Sequence, residues 1–183
     1  MKRLILLISA LIILEQIAIS AQQVNVYMNV NFDARAAFIT AKFKETLPLN
    51  PTEVMYTKVP RGLIVSIPEE KFFQKGSTQL TDEGKTLLQA IGVILKSFTN
   101  KCAIESHTEE PLDKSTGYKE DWEISIHRAN VLTRYLITCC KIETLRLYPI
   151  GFGNTMPFND NVSSQKFPNN RVDFVIFDYY VRR

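Results

Sequence analysis

The sequence is short of the residues on which most enzymes and metalloproteins rely. It holds two histidines, His107 and His127, and three cysteines, Cys102, Cys139 and Cys140, with no metal-ligand spacing among them. Neither a zinc site nor any other metal centre is expected from such a set. No glycine-rich segment follows a strand-like run in the manner of a phosphate cradle. Ser66, Ser77 and Ser125 lack the flanking glycines of a nucleophile elbow. Cys139 and Cys140 close a helical run, where the negative end of the helix dipole disfavours a thiolate. His107 or His127 beside Glu109 or Glu110 would offer a base and a carboxylate. With no matching nucleophile to serve, however, neither catalysis nor a cofactor is expected. Charge of one sign is scarce too. A net +3 dispersed over 183 residues makes no basic stripe of the kind that neutralises nucleic-acid phosphates, so nucleic acid is not an expected partner.

A membrane-length apolar run is also missing. Lys2 and Arg3 precede the run Leu4 to Leu14, but Glu15 and Gln16 interrupt it before the roughly 20 residues that a bilayer core needs. With Ala18, Ser20 and Ala21 following, residues 1–21 read as a secretory signal peptide cut after Ser20 or Ala21. The alternative is an uncleaved N-terminal anchor, the chain's one expected contact with a membrane. No cysteine lies at the junction, so a lipid anchor is not expected there. Export places the cysteines in an oxidising compartment, where their odd number leaves at least one thiol without an intramolecular partner.

What the sequence does contain is regular patterning. Val24, Val26, Met28, Val30 and Phe32 alternate as in a half-buried strand, and Asp33 caps a helix running to Phe43. Residues 22–58 form an N-terminal extension that ends in the first strand of a hairpin. In that hairpin Val54 to Val59 and Leu63 to Ile67 flank Pro60, Arg61 and Gly62. Thr81, Asp82 and Glu83 start a helix whose Leu87, Leu88, Ile91, Ile94, Leu95 and Phe98 share one face. A strand from Cys102 to Ser106 and a polar loop follow. A second helix is expected to open with Ser125 as N-cap and Ile124 as hydrophobic staple, to present Ala129, Leu132, Tyr135 and Leu136, and to end at Cys139 or Cys140. Runs at Thr144 to Ile150 and Arg171 to Tyr179 complete the strands. Their order predicts an α+β sandwich with the helices on one face of the sheet. Cys102 and the helix end then fall at the same end of the layer, where a disulfide from Cys102 to Cys139 or Cys140 would close a loop of roughly 40 residues and stabilise the fold by about 3 to 4 kcal/mol. The alternative is three small buried residues or reduced thiols.

Four blocks carry a family resemblance: Leu63 to Pro68 running into Phe72-Phe73 and Leu80-Thr81; Ser106 to Pro111; Trp122 to Ser125 with Arg128-Ala129; and Gly151, Gly153 and Pro157 followed by Asn169 to Val172. In order and spacing they resemble the OmpA-like C-terminal domain, and especially the peptidoglycan-binding part of flagellar stator B subunits. The resemblance takes in residues 59–178 of a domain expected at 59–183. It implies a β-α-β-α-β-(loop or short helix)-β fold on a mixed sheet, and noncovalent binding of peptidoglycan through the diaminopimelate of its stem peptide. It also implies a cell envelope setting, either the periplasm and the periplasmic face of the outer membrane or an inner-membrane tether, as part of an envelope protein complex or a homodimer.

The same resemblance assigns roles. Arg128 falls on the ligand-binding arginine, where its planar fork suits a carboxylate and the adjacent helix start supplies unpaired N–H groups. Glu109 stands where the family has an aspartate for the ligand's ammonium. Ser106 stands where glycine is usual, and Asn170 where the first of two arginines is expected. These departures bear on affinity. His107 and Thr108 orient the loop or add hydrogen bonds. Arg171 contacts the ligand or braces the loop before the last strand. Asp121 and Trp122 lie just before the second helix, with Trp122 read as a packing residue rather than a sugar platform. A degenerate domain serving as a protein-interaction scaffold is the competing reading.

Overall fold

Leu63, Val65 and Ile67 alternate with Ile64 and Ser66, and that period of two puts the first three on one sheet face. They make the inner face of β2 (Gly62–Pro68), which pairs antiparallel with β1 (Met55–Val59) across the expected hairpin. The structure, a computed structural model, describes residues 33–109, 117–158 and 166–178. The expected leader and the strand at 24–32 lie outside the described residues, as does the centre of the polar loop after Glu109. The chain divides into two compact units, residues 1–38 and 39–183. The described part of the first, residues 33–38, is helical. The second opens with the rest of that helix, α1 (33–46), whose Ile39 and Phe43 belong to the second unit's core.

After a short 3-10 turn at Glu69–Lys71 come α2 (Asp82–Lys96), β3 (Cys102–His107), α3 (Asp121–Thr138), β4 (Leu147–Gly153) and β5 (Arg171–Phe177). The five strands form an open mixed sheet in the order β1-β2-β5-β3-β4. Only β3 and β4 run parallel; the other neighbours are antiparallel. The fold is therefore the expected α+β arrangement. Among the described residues no helix is long and apolar enough to cross a membrane.

The start of α2 follows local chemistry: Thr81 Oγ1 accepts the N–H of Gly84 at 3.0 Å, satisfying one of the four orphan donors of a helix start. Leu87, Leu88, Ile91, Ile94 and Leu95 then meet Leu132 and Leu136 of α3 and the strand residues Cys102, Ile104, Val172 and Phe174 in one core. Each such side chain stabilises the fold by about 1.5 to 3 kcal/mol when taken fully out of water.

Several sequence expectations are corrected. α3 begins at Asp121, four residues before the expected cap, with Glu120 as its N-cap. The cap is made by Glu123, whose Oε2 accepts the N–H groups of Lys119 and Glu120. Ser125 lies within the helix instead: its Oγ donates to Trp122 O at 3.1 Å and accepts the N–H of Gly153 at 2.9 Å. It thus pins the end of β4 to α3. Asp121 and Trp122 belong to the first turn rather than preceding it, and Trp122, expected to pack, is 55% exposed. The fourth strand starts at Leu147, because Thr144–Arg146 forms a 3-10 turn. The last strand ends at Phe177. All three cysteines are free, and the bridge from Cys102 is not formed. The Cys102 thiol donates to Ala103 O and that of Cys140 to Leu88 O on α2, so the two have separate neighbours.

Gly151 and Gly153 show why glycine marks this block. A Cβ on Gly151 would lie 2.2 Å from Ile126 N, and one on Gly153 2.7 Å from Trp122 N. The backbone of α3 sits directly on the end of β4, and only residues without a Cβ leave it room.

Candidate binding site

Pro68 at the end of β2 and His107 at the end of β3 both pair with Arg171, the first residue of β5. Three strand ends therefore converge at one edge of the sheet, and the cleft opens there. Its volume is about 500 Å³, and Glu69, Glu70, Phe73, Gln74, Lys75, Glu109, Arg128 and Asn170 are among its lining residues. Arg128 and Glu109, the two poles implied by the family resemblance, line the same cleft.

Arg128 is 1% exposed. Its Nη1 donates to Glu69 Oε2 at 2.7 Å, its Nε to Ser77 O at 2.8 Å, and its Cζ lies 5.4 Å over the Phe73 ring. Weaker contacts run from Nη1 to Thr108 Oγ1 at 3.4 Å and from Nη2 to Gln74 O at 3.5 Å. The other oxygen of Glu69 accepts from Thr108 Oγ1 at 2.8 Å and Ser106 Oγ at 3.2 Å. The floor of the cleft is thus a closed charge pair, held by two hydroxyls and two carbonyls. Breaking a buried pair by removing one partner costs about 3 to 5 kcal/mol.

Sequence reasoning missed Glu69. In the run Glu69-Glu70-Lys71 it looks like one more solvated charge, yet it is 3% exposed, with its carboxylate turned inward to Arg128. Thr108 and Ser106 reach the site by holding that carboxylate.

Glu109 forms the rim. Its exposed carboxylate accepts Asn169 Nδ2 at 2.8 Å, and its backbone N–H donates to Asn170 Oδ1 at 2.7 Å. The side chain at 109 is thus steadied by Asn169, while Asn170 holds the backbone beneath it.

The remaining expected residues lie elsewhere. Asp121 and the first turn of α3 are outside the lining, so the helix start does not present its amides to the cleft. Arg171 is 6% exposed and donates to Asn169 O, Met156 O and Asp173 Oδ2, bracing both ends of the β4–β5 loop. His107, 3% exposed, is buried against the sheet with its ring stacked on Phe152 at 5.1 Å and its Nε2 3.1 Å from Asp173 Oδ2.

That histidine belongs to the one group of possible metal ligands among the described residues, in which single atoms of Glu105, His107 and Asp173 lie within 4.8 Å of one another. Arginines already meet both carboxylates. Arg61 binds Glu105 through two parallel bonds of 2.9 and 3.0 Å, and Arg171 binds Asp173. Burial alone would raise the Asp173 pKa, but His107, Arg171 and Ser66 outweigh it and hold the carboxyl below its usual range. The cluster reads as an ion network inside the sheet whose carboxylates are held by arginines, while His107 Nδ1 and Nε2 and Asp173 Oδ1 are buried without a hydrogen-bond partner among the described residues.

Comparison with known proteins agrees with this architecture. The model of the OmpA family matches residues 72–171. The uncharacterized protein YtxE of Bacillus subtilis (strain 168) is 29% identical over 117 residues, covering 63% of this chain and 48% of that protein. The chain thus spans about half the length of this relative. Among solved structures, a MotB-like protein from Desulfovibrio vulgaris superposes with a TM-score of 0.64 at 20% identity, over 82% of this chain and 94% of that one. The cell wall anchor of the T6SS from Pseudomonas aeruginosa gives 0.60 at 22% identity, over 78% and 95%. The periplasmic domain of Helicobacter pylori MotB gives 0.59 at 22% identity, over 69% and 83%.

Proposed function

The chain belongs to the OmpA family, and from that premise we propose that it is a non-enzymatic envelope protein that holds peptidoglycan noncovalently in the cleft between Glu109 and Arg128. The ligand is the diamino acid of the stem peptide, diaminopimelate in the family pattern. Its ammonium faces Glu109 on the rim, and its backbone polar groups meet the asparagines and the Arg128 end of the floor. The observation that carries this reading is the shared cleft: an exposed acid and a buried arginine, 19 positions apart in sequence, face one cavity of about 500 Å³. A cell wall anchor and MotB periplasmic domains with the same fold support a periplasmic setting.

Sedimentation with insoluble peptidoglycan tests it. The protein should be retained, and Glu109→Ala, at an exposed position, should lose retention while keeping its fold. One observation favours a second reading: Arg128 already holds a carboxylate from its own chain. A scaffold that contacts other envelope proteins and leaves the wall alone would show no retention of the unmutated protein, and that result would decide against wall binding.

A further inference from the structure

The charges of the cleft specify more than a wall ligand. Three carboxylates, Glu69, Glu70 and Glu109, face two cations, Lys75 and Arg128, in its lining. The cleft therefore carries a net negative charge. Its one preorganised cation is already answered: Arg128 is 1% exposed and bonded to Glu69 at 2.7 Å and Ser77 at 2.8 Å. An incoming carboxylate would have to take the place of Glu69, which Thr108 and Ser106 also hold. Lys75 is exposed, and a solvated ammonium on a flexible stem is a weak substitute for a guanidinium fork. The rim is different. Glu109 is an exposed anion steadied by Asn169, ready for a cation.

Building on the wall-binding reading above, we infer that the cleft selects a stem-peptide head group that bears an ammonium without an adjacent free carboxylate. Diaminopimelate with its side-chain carboxyl amidated has this chemistry, and so does lysine. Free diaminopimelate presents a zwitterion whose negative end meets Glu70, Glu109 and the paired floor, with the exposed Lys75 as the one unburied cation in the lining to answer it. Amidation removes that repulsion, and the new amide can donate to lining carbonyls or carboxylates where a carboxylate cannot. Glu69 is thus the specificity-determining residue, acting through Arg128.

Titration calorimetry of the full chain with three synthetic tripeptides, ending in free diaminopimelate, amidated diaminopimelate or lysine, tests this. The amidated and lysine peptides should each bind at least about tenfold more tightly than the free form, which is about 1.4 kcal/mol. Equal or tighter binding of the free form overturns the selectivity while leaving wall binding intact. Failure of all three peptides together with no retention on whole walls overturns both. Glu69→Gln, with folding checked by thermal unfolding, should release Arg128 and shift preference toward the free form. If that variant unfolds, the ratio measured on the unmutated protein alone decides.

Discussion

Arg128 Nη1 lies 2.7 Å from Glu69 Oε2, with side-chain exposures of 1% and 4%. An ion pair this deep gains little net stability over apolar residues of the same shape, but it punishes the loss of either partner. Arg128→Met and Glu69→Gln should each destabilise the protein by about 3 to 5 kcal/mol. The double variant should cost clearly less than the two together, because no charge is then stranded. Urea unfolding of the four proteins measures the coupling, and strictly additive losses would show that the pair is not a unit.

Glu109 gives the opposite pattern. Because the side chain is exposed and is held at the rim by Asn169, Glu109→Gln should alter stability by no more than about 0.5 kcal/mol. Retention on peptidoglycan should fall about tenfold as the rim loses its charge. A variant that binds walls as before would remove Glu109 from the site.

Asp173 sets an acid limit. Its carboxyl is held below the usual range chiefly by His107 and Arg171, against the opposing effect of burial. A group whose pKa is depressed by folding contributes stability above its unfolded pKa of about 3.9 and loses it as pH falls through the folded value. Thermal stability should therefore decline as pH drops below about 4, and Asp173→Asn should flatten that decline while lowering stability at neutral pH. Melting scans from pH 7 to 2 report both effects.

The thiols should separate by burial. Cys102 is pushed up to about 12 by burial, and the Cys140 thiol is also raised, first by burial and then by Cys139. Only thiolates alkylate readily. At pH 8 a brief iodoacetamide pulse should label exposed Cys139 on the native protein. Denaturation without reductant should expose three labelled sites by mass spectrometry. Fewer than three would reveal a bridge that the structure does not contain.

Much of the fold was legible because its signals are local. The Leu87 to Leu95 face, the Thr81 cap and the hairpin around Arg61-Gly62 each follow from a few neighbouring residues. The start of α3 was misread because Ile124-Ser125 imitates a staple and cap, whereas the working cap is Glu123 reaching back to Lys119 and Glu120. Trp122 reads as a packing residue when placed before the helix, yet it lies in the first turn and is exposed. The site was half legible. Arg128, Glu109 and Thr108 came from the family blocks, but Glu69 meets Arg128 only through tertiary structure, 59 positions apart. His107 drew attention as a histidine in a loop block, although the strand continues through it and turns its ring into the sheet.

The sheet order carries a consequence for biogenesis. β5, the last strand among the described residues, lies between β2 and β3, so the two halves of the sheet cannot join until residues 171–177 arrive. Long-range pairing of this kind pays its loop-closure entropy before any reward and folds slowly. The cleft would thus be absent from a nascent chain until that segment emerges, since all three strand ends that shape it meet at Arg171.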